Sequence, residues 1–144
     1  MDSRLFGQRP HNLDTIRVGP DVRGQGYKFT LLLPVLKDGN QAFSPDDEEL
    51  LRNLFSDDFG GYTCTAGITH PLLRGGWVSE AGQYVTDYHT RFEVYAKQTP
   101  EALEYFRELS QNLARYSRDV IAGRRPDYGG EEQILIELTT VSLI

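Results

Sequence analysis

The run YVTDYHTRFEVYAK, Tyr84 to Lys97, alternates in character from end to end. In an extended chain Tyr84, Thr86, Tyr88, Thr90, Phe92, Val94 and Ala96 share one face. Val85, Asp87, His89, Arg91, Glu93 and Tyr95 share the other. A period of two over that length permits little but a β-strand. Its first face is predicted as core, with Tyr84, Tyr88, Phe92 and Val94 its large members, and its second as outward. Such a strand needs a covering layer on one side only, as in an antiparallel sheet.

The rest of the chain supplies that layer. YKFTLLLPVL, Tyr27 to Leu36, is rich in β-formers and bounded by Gly26 and Asp38-Gly39-Asn40. It predicts a central strand with Pro34 at its end or at a bulge, because proline cannot donate to a ladder. Ser44-Pro45-Asp46-Asp47 is a cap, a proline for the first turn and acids for the positive end of the dipole. It predicts a helix over Pro45 to Ser56, closed by Gly60-Gly61. YTCTAG, Tyr62 to Gly67, predicts a second strand, and HPLLRGGW a connecting loop. Thr99-Pro100-Glu101 repeats the helix start, and Leu103, Phe106, Leu109, Leu113, Tyr116 and Val120 keep helical spacing until Gly123 and Pro126. Gln133 to about Thr139 closes as a strand. The order β-α-β-β-α-β predicts an α+β ferredoxin-like plait over residues 27–144: a four-stranded antiparallel sheet with two helices on one face. Residues 1–26, broken by glycine and proline, form an irregular arm that packs on the body or reaches a neighbour.

Bulk properties narrow the function classes. At 144 residues the chain is one domain. The lone cysteine, Cys64, forms no internal bridge and no thiolate metal site, and it reads as a small buried hydrophobe. With a reducing compartment, no apolar span and no signal core at MDSRLFGQRP, the cytoplasm is the expected location, without a membrane. A net charge of −6 argues against nucleic acid as a partner. His70 lacks a second ligand at metal spacing, so no metal and no cofactor are expected. The glycines of Gly24–Gly26 precede a strand rather than a helix and make no dinucleotide turn.

The pattern FGGYT, then GGW, then a long strand, a helix and QILIE resembles a group of small bacterial and phage ferredoxin-like proteins, mostly without known function. That resemblance implies the plait and little about chemistry. The chain is also similar, more narrowly, to phage S-adenosylmethionine lyases, which share the plait and bind ligand between subunits. This second likeness implies roles for Tyr62 in GGYT and Glu80 in GGWVSE.

On the residues alone, Asp87, His89, Arg91 and Glu93 recur about 7 Å apart along one face. They read first as solvated or cross-strand paired side chains, next as an oligomer contact, and last as acid/base groups with an anion clamp. Trp77 follows a glycine pair as a lid or interface anchor. Two hypotheses follow. The first is a homo-oligomeric binding or regulatory module that uses the helix-free face, with Trp77, Arg91 and Tyr95 at its ligand or subunit contacts. The second is a small-molecule enzyme with a site between subunits, an S-adenosylmethionine lyase for example, with Tyr62, Glu80, Asp87, His89 and Glu93 as candidate catalytic residues.

Overall fold

The computed structural model describes residues 6–19, 23–65 and 73–144, with backbone alone for 73–77, 85 and 86. In chain order the elements are α1 (Leu13–Ile16), β1 (Gly24–Lys37), β2 (Asn40–Gln41), α2 (Pro45–Phe59), β3 (Thr63–Thr65), β4 (Leu73–Val78), β5 (Tyr84–Lys97), α3 (Pro100–Tyr116) and β6 (Ile136–Leu143). A π-helical turn, Ser117–Ile121, and a last helical stretch, Ala122–Arg124, extend α3.

β5 occupies the bounds that its alternation predicts, and with β1 it forms the spine of an antiparallel sheet, from Gly26 opposite Lys97 to Lys37 opposite Asp87. β6 lies on the outer side of β1 over Gly24–Leu31. β3 and β4 both pair with the outer side of β5, at Arg91–Glu93 and Tyr84–His89. β2 folds back on Leu36 and Lys37 through Asp38 and Gly39, both with positive φ, as a tight hairpin turn requires. Among the described residues the sheet therefore holds six strand segments rather than the four expected. The RGGW stretch assigned to a loop is part of β4, because two glycines carry no side chain and conceal the strand's alternation. The closing strand spans Ile136–Leu143 instead of Gln133–Thr139, and Leu135 O still accepts from Leu32 N at 3.2 Å just ahead of it.

Phe29, Leu31 and Leu33 of β1 face the helices beside Phe92 and Val94 of β5, and all five are buried. Phe106 of α3 stacks on Phe29 at 3.9 Å between ring centroids, and Phe55 of α2 meets Phe92 at 5.7 Å. Both long helices thus cover the same side of the sheet. Register slips between Pro34 and Leu36, so the bulge expected at the proline is present. Val35 is the extra residue and is itself buried.

Each long helix begins at its predicted cap. Ser44 and Asp47 form a reciprocal capping box, and Thr99 Oγ1 accepts from Ala102 N. α2 runs three residues past Ser56 because Phe59 packs edge-on to Tyr105 and the Asp58 carboxylate accepts the Tyr105 hydroxyl at 2.7 Å. From the N-terminal segment, Phe6 meets Tyr116 at 5.1 Å and Arg9 pairs with Glu108 at 2.7 Å. The arm residues 6–19 therefore lie on the chain's own helices, while Gly24–Gly26 opens β1.

Two face assignments on β5 change. Tyr84, expected in the core, is 69% exposed, since this end of the strand extends with β4 past the helices. Asp87, expected in solvent, is 4% exposed. Phe106 touches Phe29, Phe55 and Phe59, so truncating it empties the middle of the core. Phe106→Ala should cost about 3–5 kcal/mol of folding free energy, read as a fall in the urea midpoint with an unchanged slope.

Candidate functional site

The bulge sets up the site. Upstream of it, Leu32 and Pro34 point to the helix-free face, opposite Arg91 and His89. The slip at Val35 returns Lys37 to that same face, opposite Asp87. At this end of the sheet the chain crosses back from the helical extension, and residues 131–135 run beside the edge of β1 that β6 leaves uncovered. The result is a cleft of about 480 Å³, floored by Leu32, Pro34, Asp87 and His89. Glu131 to Leu135 form one wall, and Val78, Ser79 and Glu80 at the β4–β5 turn form the other.

The crossing segment is fixed from several directions. Gly130 has φ +83, and a Cβ there would come within 2.9 Å of the Arg118 main chain, so only glycine fits. The Arg118 guanidinium donates to Glu131 O at 2.8 Å, and Lys37 Nζ donates to Gly130 O at 2.8 Å. Ser117, in the π turn, accepts from Glu131 N at 2.9 Å. A π turn in a helix often marks a functional site. Here it brings the serine hydroxyl to the cleft wall.

These contacts hold a carboxyl group in an unfavourable place. Glu131 is 4% exposed, and its Oε2 has no hydrogen-bond partner among the described residues. Lys37 Nζ lies 3.9 Å away and also sits 5.7 Å from the centroid of the buried Tyr128 ring. Burial pushes the Glu131 carboxyl up to about 7; the Tyr128 hydroxyl and Lys37 oppose the rise, and Asp87 and Glu132 add to it. Burial likewise pushes the Tyr128 hydroxyl well above its ordinary value. Across the floor, His89 Nε2 lies 3.8 Å from Asp87 Oδ2. Glu80, Asp87, His89 and Glu131 can therefore present carboxyl and imidazole groups to one bound molecule.

Of the residues singled out in the sequence, Glu80, Asp87 and His89 meet in the cleft. Glu93 does not; it pairs with Lys28 at 3.3 Å farther along the face, where Arg91 and Tyr95 are exposed. Tyr62 lies outside the cleft, its ring 6.2 Å from Phe92 on the helix-covered side. Trp77 is opposite Val85 in β4, and His70 lies outside the described residues. Cys64 is half-buried rather than enclosed; burial raises its thiol, and nearby Arg52 only partly offsets this. Glu131, Lys37 and Tyr128 escaped the sequence reading. For Tyr128 and Glu131 the available signal is DYGGEE, a glycine pair between an aromatic and two acids inside a stretch without periodicity; Lys37 carries none.

Among the described residues no group of three or more His, Cys, Asp or Glu is placed to hold a metal ion. Nor, among them, is any helix long and apolar enough to cross a membrane.

A carboxyl group raised from 4.5 to about 7 favours folding most while it is protonated. The stability it confers is full below about pH 4.5 and is lost as pH climbs to about 7, by about 3 kcal/mol in all. Glu131→Gln should match the parent at pH 4.5 and be about 1–3 kcal/mol more stable at pH 8, measured by urea denaturation at the two pH values. A variant weaker than the parent at pH 8 would mean that the Lys37 ion pair outweighs the burial.

Comparison of the chain with family models, curated proteins and solved structures finds no match.

Proposed function

We propose that this protein is a homo-oligomeric binding module: the open half of its helix-free sheet face meets a second copy, and the cleft at the other half holds a small-molecule ligand. The observation that carries this reading is the division of one uncovered face into two parts. One part is a cleft of about 480 Å³, within the range of small-molecule pockets, with a buried carboxyl group in its wall. The other is an open surface where Tyr95 is 48% exposed among Lys28, Arg91, Glu93 and Glu137. Both signs of charge stand on that surface, so a twofold axis through it can set each against the other. The plait is part of the same reading. It is supported by the antiparallel order β6, β1, β5 and then β3 with β4, and by two helices on one side.

Light scattering at micromolar concentration should give a dimer or larger mass. Tyr95→Glu, at an exposed position, should shift that mass toward the monomer while leaving the circular dichroism spectrum unchanged. A monomer in the parent protein would remove the assembly half of the proposal.

A second reading is favoured by the Glu131 carboxyl, whose value of about 7 suits a general acid or base near neutral pH. In that reading the cleft is the site of a small-molecule enzyme, with Glu131, His89 and Asp87 as its proton-handling groups. An S-adenosylmethionine lyase is its concrete form, although Tyr62 takes no part in the cleft. It requires consumption of S-adenosylmethionine by the purified protein and loss of that activity in His89→Ala. No consumption above a boiled control removes the lyase.

A further inference from the structure

Four carboxyl groups line the cleft: Glu80 on the rim, Asp87 on the floor, and Glu131 with Glu132 on the wall. The described cations beside them include Lys37 and Arg118, which donate to main-chain carbonyl oxygens of the wall, Lys37 to Gly130 and Arg118 to Glu131 and Glu132. Acidic surroundings alone would describe any solvated patch. Glu131 is different, because its side chain is buried in the cleft wall and its Oε2 has the Lys37 ammonium only at 3.9 Å, beyond hydrogen-bond distance, with the Tyr128 hydroxyl beside the carboxyl. A buried acceptor left unmatched costs free energy that a donor brought by a ligand would recover. Beside the polar Ser79, His89 and Gln133, the rest of the lining is apolar, with Leu32 and Pro34 beneath and Val78, Ile134 and Leu135 at the sides.

We infer that the cleft takes a small organic cation, a primary amine or guanidine carried on an apolar body, with its charged nitrogen directed to Glu131 and Asp87. This rests on reading the cleft as a ligand pocket. The apolar body lies over Leu32, Pro34 and Leu135, and the charged head is left among carboxyl groups in a partly desolvated pocket, where opposite charges attract more strongly than in water. Anions of the same shape are repelled, and neutral isosteres gain the apolar contact without the charge.

The pH dependence follows from the groups that face Glu131. These are Lys37 from β1, Asp87 and His89 from β5, Tyr128 and Glu132 from its own segment, and Arg118, which holds its carbonyl oxygen. A bound cation favours the ionised carboxylate. Binding therefore tightens as pH rises through about 7 and releases a proton below that value.

The test uses the full-length protein and three probes of one shape: phenethylamine, 2-phenylethanol and phenylacetate. Isothermal titration at pH 6 and pH 8 should show saturable binding of phenethylamine, several-fold tighter at pH 8. The alcohol should bind at least tenfold more weakly, and phenylacetate should not bind. Glu131→Gln should weaken phenethylamine at least tenfold and remove most of the pH dependence. Glu80→Gln, on the exposed rim, should weaken it two- to threefold, and it checks the assignment if the buried variant proves unstable. Equal affinity for amine and alcohol would leave the pocket standing and overturn the cation. Failure of all three probes to bind at millimolar concentration would overturn both. Unchanged affinity in Glu131→Gln and Glu80→Gln would also overturn the assignment.

Discussion

The ladder between β1 and β5 is the constraint on which the rest depends. It runs from Gly26–Lys97 to Lys37–Asp87, and each strand presents one set of side chains to the helices and the other to the bare face. On the covered side the ladder brings Phe29 under Phe106 and Phe92 under Phe55. Burial of these rings is the principal source of favourable folding free energy, and it fixes which residues remain outside. The register that encloses Phe92 is the one that turns His89 and Arg91 away from it. Core and cleft are two faces of one pairing.

Legibility in the sequence followed periodicity. Tyr84–Lys97 was legible to the residue because alternation is a property of the strand itself. Both long helices were legible at their starts, where Ser44-Pro45 and Thr99-Pro100 carry the capping chemistry locally. β4 was hidden, since Gly75 and Gly76 interrupt the pattern that would reveal it. The burial of Asp87 was hidden for another reason. On β5 it occupies an outward position, and the wall of the cleft it floors is the return segment more than forty residues later. No local rule reports a lid supplied from so far along the chain. Glu131 was the hardest, because a glutamate in a polar, glycine-rich stretch reads as solvated until the fold encloses it.

The cleft also shows a local conflict between stability and arrangement. A carboxyl group is enclosed next to Asp87 and Glu132, with one ammonium 3.9 Å away as compensation. Burial of this kind persists where the surroundings over-determine it. Here Gly130, the Arg118 guanidinium, the Ser117 hydroxyl and Lys37 each hold the main chain around Glu131, so the side chain has little freedom to escape to solvent. The conflict is confined to one end of the sheet, well away from the aromatic stack that carries the fold.

Val35 gives β1 one residue more than β5 across the same stretch of sheet. Were the same residues to alternate strictly through Val35, inside and outside would exchange beyond it, carrying Lys37 into the core and Leu36 into the cleft. The slip is thus what sets an ammonium group, and not an alkyl chain, beside the Glu131 carboxyl.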